Sequence, residues 1–418
     1  MRLALIVSCL LLAGAAGAEA PLAPTDATDP AAGAIYGTVT DRDGRDLVGF
    51  LRFDGWDTWW DDLFAADRDS SPWEGLVDEA MLKDLARERR DAYFATHGLV
   101  DRLAYALDGG RRVDLSRRLV CRYGQVARVT LGRDDGVVET VDGNRYPVRP
   151  GRGDLDGDLT VATAGGDSTV LDFDDVRGIV FAQAPAGALP PWQRLAGEVT
   201  TTGGVLAGFV QWDVSENCDL DILDGEDDAG SHDIPMGDIA AIARSRGGST
   251  VTLRDGNVLA LSGTNDVNDD NRGLAVHVPG TGRVTVPWKD FVKVTFAAPG
   301  PSGAARAAFG AARPLEGRVA IKGGGERRGR LVLDLDEGST WEILDGEHAG
   351  RDYTIPLGLV ATLEPGDQGC TVTLRDGGTL LLTEGNDIDA DNAGVLVIGP
   401  DGAERIAWSR VAALRFDP

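Results

Sequence analysis

Oxygen-bearing side chains alternate twice along this chain. Asp266, Asn268 and Asp270 do so within GTNDVNDDNRG (residues 263–273), and Asp387, Asp389 and Asp391 within EGNDIDADNAG (residues 384–394), 121 positions later. Oxygen ligands at relative positions 1, 3 and 5 open an EF-hand-type calcium loop, because a hard cation gathers several oxygens at short range. Asn271 and Asn392 stand at relative position 6, where a left-handed backbone is needed and Asn is tolerated. The twelfth position, which should supply a bidentate Glu, holds His277 or Ile398, and the flanks read as strands. The loops are therefore not EF-hands. Two readings stand side by side: another kind of calcium loop, completed by Glu384 or main-chain carbonyls, or a long hairpin loop whose Asp and Asn side chains bond nearby backbone N–H groups. Asp154, Asp156 and Asp158 offer a third, less regular copy. Calcium is the one cofactor this pattern admits, and nothing in the sequence requires a cofactor.

A second stretch, FDGWDTWWDDLF (residues 53–64), sets Trp56, Trp59 and Trp60 beside Asp57, Asp61 and Asp62. Indole faces with adjacent carboxylates can stack a sugar or hold a cationic peptide. The competing reading places alternate aromatics in a core. His97, His232, His277 and His348 have no zinc-ligand spacing, and no nucleophile elbow, phosphate loop or dinucleotide fingerprint follows a predicted strand. A glycosidase needs only two carboxylates several ångströms apart, but no pair is singled out here.

These residues must be positioned by a repeated scaffold. ILDGE around Asp224 returns around Asp345, Ile234 and Pro235 return as Ile355 and Pro356, and VTLRDG at 251–256 returns at 372–377, all at the same offset of 121. Such constancy marks a duplication. A more diverged copy lies upstream, where GFLRFD at 49–54 matches GFVQWD at 208–213. The units span about 35–183, 195–298 and 315–418, with Ala/Pro/Gly-rich linkers at 184–194 and 299–314. Arg-Asp-Gly between alternating apolar runs predicts hairpins at 40–49, 252–261 and 373–382. An i, i+3, i+6 apolar pattern at Met236, Leu357, Trp288 and Trp408 predicts a 3₁₀ turn leading into a short closing strand. Each half-unit then reads as hairpin, long loop, turn and strand. The first unit carries an insertion at about 71–110, where Ser71, Pro72 and Glu74 form a capping box and predict a helix to about Phe94, with a second short helix before Gly109. Replacing the LDGE-bearing loop, it is expected to cap the array or to dock a partner.

The G-x-V…RDG…GF-x-x-W/F-D opening and the turn before the last strand resemble SH3-like and Sm-like small β-barrels. That resemblance implies a mainly all-β fold in which each unit is a pair of small barrels. The RNA or Pro-rich-peptide binding of those families does not carry over, because no basic loop or peptide groove matches residue by residue.

Residues 1–20 read as a cleaved signal peptide, with Arg2, an apolar run and small residues before the cleavage point. No later run is long and apolar enough for a membrane helix, so export to the periplasm or the medium is expected. With 67 acidic and 41 basic side chains the net charge is -26, which repels nucleic acid and favours cations or basic partners. Beyond the leader, Cys121, Cys218 and Cys370 are odd in number, so a disulfide framework is not expected. The expectation is an exported, non-catalytic binding or scaffold protein with a protein or glycan partner. The alternative is a secreted hydrolase using the stretch from Trp56 to Asp62.

Overall fold

Alternation of buried and half-exposed side chains drives the architecture. Tyr36–Asp41 buries Gly37, Val39 and Asp41, and Glu316–Ile321 buries Gly317, Val319 and Ile321, so each strand has one face on a core. The computed structural model describes residues 31–68, 70–98, 101, 118–163, 165–310 and 313–418. The expected leader and the end of the second inserted helix lie outside the described residues. The protein is all-β, in tandem antiparallel sheets, with one long helix among the described residues. None of its described helices is long and apolar enough to cross a membrane.

Each unit is one sheet through which its two halves exchange strands. In the second unit the opening hairpin, Ala196–Thr201 with Gly204–Trp212, pairs with Phe291–Phe296 and with Leu274–Val278 from the other half. The closing strand of the first half, Ile239–Ser245, pairs with Gly248–Leu253 and, through Ile242 opposite Val294, with Phe291–Phe296. The first and third units have the same strand order. The expected closing turns are present: Met236–Asp238, Trp288–Asp290, Leu357–Leu359 and Trp408–Arg410 are 3₁₀ turns, each feeding a strand. The Arg-Asp-Gly words are hairpin turns. Gly256 has φ +93° there, which is why the position is glycine although a side chain would meet nothing.

The LDGE segment forms a further hairpin, Ile343–His348 with Arg351–Pro356 in the third unit, and its outer strand joins the second unit's sheet with Val284 opposite Tyr353. Accordingly, one core cluster runs through the second and third units. In the first unit the matching hairpin, Leu63–Asp67 with Arg118–Arg122, is still present. The insertion lengthens the connection between its strands instead of replacing the hairpin. Its long helix begins later than the capping box predicted, at Glu79, with Asp78 accepting from Met81 N at 2.8 Å, and runs to Thr96. Ser71 and Glu74 serve a 3₁₀ turn, Glu74–Leu76. Trp73, Val77 and Leu85 pack on Val332, Leu335, Ala393 and Leu396 of the third unit, so the insertion covers that unit.

The linkers are docked. Trp192, Ser302 and Phe309 are buried, and Arg306 donates to Val126 O at 3.1 Å. Cys121, Cys218 and Cys370 are buried free thiols.

Candidate functional site

The stretch from Phe53 to Leu63 is a tight corner whose shape comes from its own side chains. Asp54 (φ +47°) and Gly55 (φ +77°) turn the chain back, and Phe53 N and Asp57 N exchange hydrogen bonds with Asp57 O and Phe53 O at 2.9 and 3.1 Å. Asp62 Oδ2 then accepts from Thr58 N and Trp59 N, both at 2.8 Å, closing the corner. Trp59 and Trp60 are fully buried, as the core reading of the aromatics requires, while Trp56 is 38% exposed.

Against this corner lies the second unit, and a cavity of about 190 Å³ is left between them. Trp56, Asp57 and Asp62 form one wall; Gln211, Val214, His277 and Arg283 form the other. Neighbouring ladder positions place His277 opposite Arg283, and Arg283 reaches Gln211 Oε1 at 3.2 Å. Asp61 Oδ1 pairs with Arg194 Nη1 at 2.7 Å, and the Arg194 guanidinium lies 3.9 Å from the Phe209 ring centroid. The His277 ring sits between two carboxylates, its Nδ1 3.6 Å from Asp61 Oδ2 and its Nε2 3.7 Å from Asp62 Oδ1. Asn217 Nδ2 donates to Trp56 O, and Arg52 pairs with Asp221, which ties the rim of the corner to the second unit.

Burial dominates the protonation of this site. It pushes the Asp62 carboxyl up to about 6 despite the pull of Arg194, with Asp61 adding repulsion. Asp57 is pushed up by burial, then by Asp62 and Asp154, with Arg283 opposing. Burial pushes His277 down to about 3 against the pull of Asp61, with Arg194, Arg283 and Arg122 acting in the same direction as burial. At neutral pH the site is therefore a neutral imidazole framed by acids and guanidinium groups, with one accessible indole. Such a wall suits a small polar or cationic group. Asp61, Asp62 and His277 also bring a ligand atom each to within 4.8 Å of one another, and Arg194 lies 2.7 Å from Asp61 and 3.8 Å from Asp62.

Of the residues expected to form a ligand surface, Trp56, Asp57 and Asp62 line the cavity; Asp61 stands behind it on Arg194, and Trp59 and Trp60 face cores. The second unit's contribution escaped the sequence reading. Its signal lay in the divergence of the repeats: His277, Arg283 and Gln211 correspond to Ile398, Ala403 and Val332 in the third unit.

The repeated Asp-rich loops brace themselves. Asn268 Oδ1 accepts from Asp270 N at 2.7 Å, and Asp389 Oδ1 from Asp391 N at 2.8 Å. Asn271 and Asn392 accept from Gly273 N and Gly394 N and donate to the main-chain oxygens of Asp266 and Asp387. Asp266 and Asp387 instead turn inward, accepting from Asp224 N at 2.8 Å and Asp345 N at 3.0 Å on the LDGE hairpins. The acids that gather around Asp266 are Asp213 and Glu216, not its neighbours in the loop.

No family model matches the chain, and no curated protein matches it. Among solved structures, a streptogramin B lyase structure is similar at 10% identity over 70% of this chain and 94% of that chain, with a TM-score of 0.11, a likeness too small to carry an argument about fold or function.

Proposed function

We propose that this is an exported, non-catalytic binding or scaffold protein. In this reading it is built of tandem SH3-like or Sm-like small barrels stiffened by calcium at the Asp-rich loops, and it presents the cavity beside Trp56 to a protein or glycan partner in the periplasm or the medium. The observation that carries the reading is the recurrence of the site's buried carboxylates as braces. Asp62, Asp221 and Glu342 each cap two consecutive backbone N–H groups at equivalent corners of the three units. A carboxylate needed three times for the same turn owes its place to the fold, whereas a catalytic acid is needed once. Repetition also suits a binding array, which gains from copies through effective concentration.

A secreted hydrolase is the second reading, and one observation favours it: Asp57 and Asp62, both pushed up, face a single cavity. Glycan and basic-peptide arrays probed with residues 21–418 separate the two. Binding without turnover, weakened at least tenfold by W56A and by D57N with the melting temperature intact, is expected. Release of product by the wild type, abolished in both D57N and D62N, would replace the binding reading with the hydrolase.

A further inference from the structure

The third unit's LDGE hairpin departs from its counterpart where it meets the second unit. In the second unit Gly230 (φ +133°) completes the turn, and His232 Nε2 lies 3.0 Å from Asp227 Oδ2. At the offset of 121 the third unit has Arg351, Tyr353 and His348 in those places. There Ala349 (φ +52°) and Gly350 (φ +78°) make the reversal, a pair of left-handed positions that suits a tight hairpin. Position 351 is thereby released from glycine, and an acid–imidazole pair gives way to a guanidinium, a phenol and an imidazole.

Arg351 and Tyr353 share one face of their strand, and Arg351 Nη2 donates to Thr201 Oγ1 of the second unit's opening hairpin at 2.7 Å. A cavity of about 300 Å³ lies at this seam, walled by Arg351, Tyr353, Asp290, Val205, Leu206 and Leu380. Arg351 is only 7% exposed, and its Nε is buried without a partner. Burial pushes the Tyr353 phenol up, with Arg351 beside it opposing, so the phenol keeps its proton at neutral pH. His348 donates its Nδ1–H to Leu381 O at 2.9 Å and stands edge-on to the Tyr353 ring, which fixes the phenol in place. The guanidinium thus rests on hydroxyls, and no carboxylate among the described residues pairs with it. Gly203 makes room for it, since a Cβ there would lie 2.3 Å from Arg351 Nη2. Asp290 accepts from Thr202 Oγ1 at 3.2 Å and likewise has no ion pair among the described residues. One cavity therefore holds a cation and an anion that do not pair with each other.

A buried guanidinium with neutral neighbours is costly, and a chain of net charge -26 has carboxylates enough to pair it, yet none is placed there. We infer that the seam between the second and third units binds a small zwitterion of the free α-amino-acid class. Its carboxylate sits against Arg351, whose planar fork matches that shape, with the Tyr353 O–H donating beside it. Its ammonium meets Asp290, and an apolar side chain lies on Val205, Leu206 and Leu380. The cavity is at the small end of ligand pockets, which suits one amino acid and excludes a folded partner. This site is separate from the cavity beside Trp56, both in place and in the ligand it takes.

L-Leucine is the probe, with isocaproate, which lacks the ammonium, and isoamylamine, which lacks the carboxylate, as its single-charge analogues. Titration calorimetry on residues 21–418 should show saturable binding of leucine and binding of either analogue weaker by about tenfold or more, as loss of a charged hydrogen bond implies. R351Q should abolish binding of leucine and isocaproate alike, and its melting temperature without ligand should be no lower than wild type, because an unpaired buried charge is removed. D290N should weaken leucine about tenfold and leave isocaproate unchanged. G203A, which pushes a methyl into the guanidinium, should weaken leucine while altering neither charge. Leucine binding that survives R351Q, or no saturable binding at millimolar leucine, would overturn the inference. Isocaproate bound as tightly as leucine, with D290N without effect on either, would overturn the zwitterion assignment. Leucine binding kept in R351Q but lost in W56A would move the ligand to the first cavity, sinking this site while leaving the binding reading of the protein in place.

Discussion

Asp62 and His277 are packed together, yet burial moves them in opposite directions, and that opposition is measurable. The folded chain raises Asp62 from 3.8 to about 6, so this group favours folding fully below about 4 and loses that contribution as pH rises through 6. It lowers His277 from 6.5 to about 3, so the imidazole favours folding above 6.5 and loses that contribution as pH falls. Between pH 6 and 4 the two slopes oppose each other, and wild-type stability changes little on their account. Removing one partner unmasks the other: from pH 7 to 5, H277Q should gain about 1–2 kcal/mol relative to wild type and D62N should lose about as much, at about 1.4 kcal/mol per pKa unit. Denaturant titrations at the two pH values read this directly, and parallel curves for all three proteins would show that the pair does not titrate there. The acids of this site were visible in the sequence because Trp and Asp are dense at 53–64. Their partners were not, since His277 and Arg283 meet Asp62 and Asp57 only through the docking of two units more than 200 residues apart in the chain.

Hairpins, closing turns and the helix of the insertion were legible as elements, because each depends on local chemistry: positive φ at a glycine, a 3₁₀ turn before an apolar strand, good helix formers in the insertion, though the cap is Asp78 and not the Ser71 box. Which strand pairs with which was not legible. The exchange between halves is decided by ladders such as Phe209 opposite His277, far apart in sequence and free of any local signal. The helix also carried a concealed instruction. Gly338 occupies the place of Thr58 and Asn217 in the other units, and a Cβ there would lie 2.4 Å from Trp73 Cζ2. Trp73 is itself 4.4 Å from Arg330 Cζ across the same contact, so the ring has little freedom to retreat. G338A should therefore cost about 1–3 kcal/mol, as over-packing of a tight contact does, and should speed proteolysis within Glu79–Thr96. In a W73L background the same change should cost far less, a coupling that a double-mutant cycle isolates. Equal costs in the two backgrounds would show that Gly338 serves the corner alone.

The three units close on one another through three different devices. A cavity with ion pairs joins the first to the second, and a continuous sheet joins the second to the third. The third returns to the first through the inserted helix, the Trp341 indole on Asp142 at 3.0 Å, and the buried pair of Arg68 with Asp336, whose side chains are 2% and 6% exposed. A chain of repeats joined only to their neighbours would melt piecewise from its ends. Closure changes that expectation, because the first unit can loosen only by uncovering the third. The mature protein should therefore show a single calorimetric transition. D336A, which breaks this buried pair, should cost about 3–5 kcal/mol and separate the transition of the third unit from that of the first. R68M/D336L should restore the single transition, because apolar replacement of both partners removes the two buried charges together. If D336A melts as one transition at the wild-type temperature, the third unit is held by the sheet seam alone, and the helix is a cover that carries no coupling between the ends of the molecule.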